Sequence, residues 1–141
     1  METVERHVTL PAGPDEAWEL LTDPDDLAAW LGREVALDPT PGATGVVVDH
    51  DGTRRRLVVD EVEAGRRLAW RWWTDGDTES SRVEITLAPA ARGTAVRVVE
   101  TLAAGTTGES AASASACASE AWSHRLLHLE ALLLVAAAVR G

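Results

Sequence analysis

Between Val35 and Val98, as between Val4 and Leu10, hydrophobic residues tend to fall at every second position, whereas from Ala17 to Leu31 and after Ala118 they recur at steps of three and four. A period of two marks strands with one buried face, and steps of three and four mark amphipathic helices. After a first strand, the remaining strands thus form one block flanked by helices. Parallel strands each need a long crossover, so this order excludes a βαβ fold and requires an antiparallel meander.

The individual elements follow from local signals. Val4, Arg6, Val8 and Leu10 alternate with Glu5, His7 and Thr9, which predicts a first strand. Pro14 suits a first helical turn, and Asp15 and Glu16 place negative charge at its positive end. Ala17, Trp18, Leu20 and Leu21 supply the apolar stripe of that helix. Asp23 is a suitable N-cap for a second short helix carrying Leu27, Trp30 and Leu31, with Pro24 at its start and Gly32 as its stop. Strands follow around Val35–Leu37, Val46–Val48, Arg56–Val62, Leu68–Trp72, Val83–Leu87 and Val96–Val98, and Asp51-Gly52 marks one of the hairpins between them. Gly105 to Ser115 is small and polar, and reads as a flexible connection. Ala118, Trp122, Leu126, Leu129, Leu133 and Ala136 then make one continuous helical stripe. The expected fold class is α+β: a helix-grip fold in which a curved antiparallel sheet of about six to seven strands wraps a long C-terminal helix, with two short helices after the first strand. A single domain spanning residues 1–141 accommodates all of it.

Charge and composition narrow the partners. With 13 basic and 23 acidic residues the net charge is −10, which disfavours nucleic acid and anionic membrane surfaces. Every basic residue is Arg, so a Schiff-base or P-loop lysine is excluded; the Ala, Arg, Val and Gly bias suits a GC-rich bacterial genome. Cys117 is the one cysteine and cannot form an internal disulfide. Residues Met1 to Glu5 lack the character of a signal peptide, and the most apolar stretch, Leu126 to Val139, contains His128 and Glu130 and is too short to insert in a membrane. A cytoplasmic location is the corresponding expectation.

Four places carry a resemblance to a known family. They are Val8-Thr9-Leu10-Pro11-Ala12 with Pro14-Asp15-Glu16-Ala17-Trp18; Leu21-Thr22-Asp23-Pro24 running to Trp30-Leu31-Gly32; Glu63-Ala64-Gly65-Arg66-Arg67-Leu68-Ala69-Trp70 with Val83 to Leu87 and the Gly93-Thr94 turn; and Trp122 with the Leu-rich helix after it. In these the chain resembles the domain related to the activator of Hsp90 ATPase, within the START and Bet v 1-like (SRPBCC) superfamily. Pro41-Gly42-Ala43 stands where that family often has a Gly-Gly turn. The resemblance implies the helix-grip fold but leaves function open, because the superfamily spans lipid carriers, polyketide cyclases and co-chaperones.

A sheet that grips a helix leaves a gap for a ligand. Six Trp without any Phe or Tyr is an unusual aromatic selection, and Trp30, Trp70, Trp72 and Trp122 either line such a gap or fill the core. Leu126 and Leu129 on the helix, and Val83, Ile85, Val96 and Val98 on the sheet, are the expected apolar lining, with Glu100 as a polar member on the face of Val96 and Val98. Glu61 shares parity with Leu57 and Val59, and Arg97 turns inward only if the register slips by one. His124 and Arg125 can reach the polar end of the gap. Trp18 and Trp73 read as ordinary packing, and Arg54-Arg55-Arg56 as a solvated strand start.

Cys117, Glu120, His124 and His128 share one side of the long helix, but ligands strung along one straight helix diverge, and neither His7 nor His50 is placed near them by sequence. No metal and no cofactor is therefore expected. No nucleophile elbow or Cys–His signature is present, so binding is favoured over catalysis. The expected function is a carrier or sensor whose cavity takes an apolar or aromatic small molecule, lipid-like or polyketide-like. The alternatives are a cyclase or aromatase using a cavity carboxylate or His, and a stress-response or Hsp90-related interaction module. Leu127, Leu134 and Ala138 lie off the Trp122 stripe, which leaves room for a homodimer through that helix.

Overall fold

The structure is a computed structural model that describes residues 3–75, 79–102 and 118–132. The elements run β1 (Thr3–Leu10), α1 (Pro14–Thr22), α2 (Pro24–Trp30), β2 (Glu34–Ala36), β3 (Thr44–Val48), β4 (Arg54–Glu63), β5 (Arg67–Thr74), β6 (Ser81–Ala90) and β7 (Gly93–Thr101), followed by a helix, α3, over residues 118–132. The expected α+β helix-grip arrangement is what forms. All seven strands join one antiparallel sheet in the order β1-β7-β6-β5-β4-β3-β2. The chain starts at one edge, crosses through α1 and α2 to the other, and meanders back until β7 pairs with β1.

Period-two alternation sends one set of residues inward. Along one paired row these are Val4, Glu100, Val83, Trp70 and Val59, taken from five neighbouring strands. Four of the five are apolar and all five are buried. The helices close this face. Ala17, Leu20 and Leu21 of α1, Leu27 and Trp30 of α2, and Trp122, Leu126 and Leu129 of α3 are buried in the same core. Cys117, Leu133, Leu134, Ala136 and Ala138 lie outside the described residues, as does the connection Gly105 to Ser115.

Asp23 caps α2 as its sequence position suggests, its carboxylate accepting from the backbone N–H groups of Asp25 and Asp26 at 2.9 and 3.2 Å. Gly32 serves a different purpose from a left-handed helix stop. It lacks a positive φ, and a Cβ there would lie 2.6 Å from the Val48 carbonyl oxygen, so glycine lets the end of α2 pass directly over β3. Gly93, at φ +148°, turns the chain from β6 into β7 where a side chain would strike the Leu10 carbonyl.

Alternation fails at Glu61. A β-bulge separates Val59, which pairs with Trp70, from Glu61, which pairs with Ala69. The extra residue turns Glu61 away from the face of Leu57 and Val59. It is exposed and sits with Arg67 and Arg82 on the outer surface. Arg97 also faces outward, donating to Glu5 at 2.8 Å, so no register slip occurs there.

Candidate functional site

Glu100 is the polar residue of the buried row. Only 4% of it is exposed, because β1 and β6 flank it on β7 and α3 covers it. A buried carboxylate requires donors. Trp72 on β5 donates its indole N–H to Oε2 at 2.7 Å, and Trp122 on α3 donates to Oε1 at 2.9 Å. Indole is a donor only, so each oxygen of Glu100 acts here as an acceptor. The two indoles stack with ring centres 5.9 Å apart, and Trp70 meets Trp72 edge to face at 5.6 Å. Trp30 instead donates to the Leu20 carbonyl at 2.7 Å and fixes α2 on α1. The Trp70 indole nitrogen is buried without a hydrogen-bond partner.

One helical turn after Trp122, Arg125 reaches over the same rings. Its guanidinium lies 4.7 Å from the Trp122 ring centre and 5.1 Å from that of Trp72. Its Nε donates to the Leu31 carbonyl at 3.1 Å and one Nη to Asp49 at 2.7 Å. The other oxygen of Asp49 accepts from Arg55 at 3.0 Å, and the Arg55 guanidinium lies 4.8 Å from the Trp72 ring centre. Asp49 thus joins α3 to the β3–β4 hairpin, while Arg125 also ties both to the end of α2.

This polar group borders a cavity of about 320 Å³ between the sheet end and α3. Asp49, Asp51, Arg55, Glu100 and Arg125 supply its polar wall, and Leu102, Ala118 and Ala121 an apolar one. A second cavity of about 210 Å³ adjoins it and shares Asp49, Asp51, Ala121 and Arg125, adding His50 and His124. The Thr53 backbone N–H and hydroxyl hold the Asp51 carboxyl below its ordinary range.

The structure brings together the residues singled out in the sequence as follows. Glu100 and Arg125 line the larger cavity, and His124 the smaller. Trp30, Trp70, Trp72, Trp122, Leu126, Leu129, Val83, Ile85, Val96 and Val98 are packed in the core beneath. Trp18 and Trp73 are half-buried. Arg54 and Arg56 are exposed, whereas Arg55 turns in, contrary to a uniformly solvated strand start. Its parity with Leu57 and Val59 is the signal that identifies it. Asp49 carries no such signal, since its role depends on Arg125, distant in sequence. Among the described residues, Glu19, Asp23 and Asp26 are the one group of His, Cys, Asp or Glu side chains whose ligand atoms already lie close enough to share a cation; burial and the neighbouring acids raise the Asp26 pKa, and Asp23 is already occupied in capping α2.

The family model described as Activator of Hsp90 ATPase homolog 1-like protein matches residues 11–134. No curated protein matches the chain. Among solved structures, DynU16, a protein of the dynemicin biosynthetic locus, is 32% identical with a TM-score of 0.79; the match covers 94% of this chain and 47% of DynU16, so the chain spans about half the length of that relative. Protein MLL2253 from Mesorhizobium loti is 24% identical with a TM-score of 0.82, the match covering 94% of this chain and 96% of that one. The Aha1 dimer from Colwellia psychrerythraea shares the fold at 18% identity and a TM-score of 0.78, over 94% of this chain and 96% of that one.

Proposed function

The chain belongs to the family of activator of Hsp90 ATPase homologue 1-like proteins, and from that premise we propose that it binds an apolar or aromatic small molecule, lipid-like or polyketide-like, between the sheet and α3. The observation that carries this reading is the cavity of about 320 Å³, whose wall joins an apolar side to a larger hydrogen-bonding one. An apolar body gains affinity by burial against Leu102, Ala118 and Ala121, and a polar substituent finds Arg55, Arg125 and Glu100. The buried Trp70, Trp72 and Trp122 cluster lies beneath the Glu100 and Arg125 wall, where a bound ligand would alter its emission. The similarity to DynU16, which belongs to a biosynthetic locus, supports a metabolite as the ligand. A cytoplasmic location suits such a binder; among the described residues no helix is long and apolar enough to cross a membrane.

The test is tryptophan emission together with thermal shift against fatty acids, sterols, flavonoids and polyketide-like aromatics. A saturable emission change with a raised melting temperature is expected, and Ala121→Trp, which fills the cavity, should abolish it. A folded protein that responds to none of these compounds sinks the reading.

Catalysis is a second reading, favoured by Glu100 standing both buried and at the cavity wall. It ranks below binding because both carboxylate oxygens already accept indole protons. The same panel distinguishes the two: a cyclase would convert a bound compound, and Glu100→Gln would stop turnover while retaining binding. An Hsp90-related role and pairing of two copies through α3, where Leu127 is 61% exposed, rest on family likeness and on the dimeric Colwellia protein.

A further inference from the structure

His50 stands at the end of β3, in the His50-Asp51-Gly52 turn, and His128 lies on α3. The fold brings their rings to 5.0 Å between centres, at an interplanar angle of 75°. Both side chains are exposed. His124, also exposed, lies one turn earlier on α3 and borders the smaller cavity together with His50. Two of the four histidines of the chain therefore meet from elements far apart in sequence, and a third stands one helical turn away without yet converging on them.

An edge-to-face pair of rings would by itself account for 5.0 Å. So would a shared metal ion: two imidazoles on one tetrahedral zinc, with Zn–N bonds of about 2.0–2.1 Å, have ring centres about 5 Å apart. The third imidazole separates these explanations. Ring packing has no use for His124, whereas a cation site requires a third donor, and residues four apart on a helix lie on one face. An exposed His124 can turn toward the pair without disturbing the core. The neighbouring Asp49 is committed to Arg55 and Arg125, and Asp51, which accepts from Thr53 through one oxygen, can add at most one carboxylate oxygen, so imidazole nitrogen is the principal donor type. Such a donor set suits zinc or another late first-row divalent ion and disfavours magnesium or calcium.

We infer that His50, His124 and His128 form a site for a divalent transition-metal ion of the zinc class, in which the ion clips the β3–β4 hairpin to α3 beside the ligand cavity. Bound there, the ion would hold the turn next to Asp49 and Asp51 against the helix and stiffen one wall of that cavity. The inference is independent of the small-molecule reading.

The experiment is calorimetric titration of untagged, chelator-treated protein with Zn²⁺ in the absence of any organic ligand, paired with thermal melts. One ion per chain and a raised melting temperature are expected. His50→Ala and His128→Ala should each weaken binding by about tenfold or more, with a smaller loss for His124→Ala. His7→Ala, Cys117→Ser and Asp26→Asn should leave it unchanged. Circular dichroism verifies that these variants fold. Absence of saturable binding overturns the inference, as does binding that survives the His50→Ala, His128→Ala double variant. Loss of binding in Cys117→Ser or Asp26→Asn, with the His50 variant unaffected, overturns it as well, because the ion would then sit elsewhere.

Discussion

The two faces of the same sheet handle charge in opposite ways. Outside, Arg67, Arg71 and Arg82 lie among Asp60, Glu61 and Glu84, with contacts from 2.5 to 3.7 Å and several carboxylates shared between arginines. These side chains are between 25% and 50% exposed, so water can replace any one partner. Inside, Glu100 has two indole donors, and Arg125, at 6% side-chain exposure, is paired with Asp49. The outer lattice is redundant and the inner network is not. A single polar contact inside therefore carries a larger energetic consequence than one outside, because the cost of a missing partner grows as water is excluded.

The largest effect should come from Asp49→Ala. It leaves the buried Arg125 guanidinium without its carboxylate, held by the Leu31 carbonyl and the Trp72 and Trp122 rings alone, at a cost of about 3 kcal/mol, equivalent to a fall of about 10 °C in melting temperature. A melt indistinguishable from that of the parent protein would show that the two faces behave alike. Glu100→Ala comes next: two buried indole N–H groups lose their acceptor, costing about 2 kcal/mol. Chemical denaturation measures it, and Trp emission should change too, since Trp72 and Trp122 are the donors. A loss no greater than that of an outer-face substitution such as Glu61→Ala would contradict the contrast.

The smallest effect belongs to Glu5 on the outer face. Hydrogen bonds from Arg97 and then His7 lower its pKa from 4.5 to about 2, although it is exposed. Because the folded-state pKa is depressed, the stabilisation is complete above pH 4.5 and is lost as pH falls toward 2. Glu5→Gln should therefore shift the urea midpoint slightly at pH 7, and this difference should shrink across that acid window. A difference that stays constant with pH would remove Glu5–Arg97 as its source.

The legible part of this architecture was the part governed by local periodicity. Alternation through Val96 and Val98 places Glu100 on the inner face, and capping chemistry marks Asp23 before α2. The same rule misplaces Glu61, because a bulge adds one residue and carries no local signature. The partners of Glu100 were equally hidden. Trp72 and Trp122 read as apolar lining, yet what positions them is also the N–H each aims at one carboxylate, a relation between β5, β7 and α3 that no single window contains. His50 and His128 meet for the same non-local reason.

The placement of β1 beside β7 has a further consequence, in the time domain. Glu5 and Arg97, which bond diagonally across that junction, are 92 positions apart. At about 5–20 residues per second, the ribosome finishes β7 roughly 5–20 s after β1. Throughout that interval Val4, Val8 and Leu10 have no sheet to join, and contacts of such long range form late in folding. The alternating Glu5, His7 and Thr9 keep one side of the waiting strand polar, which discourages it from pairing with another nascent copy before its own partner arrives.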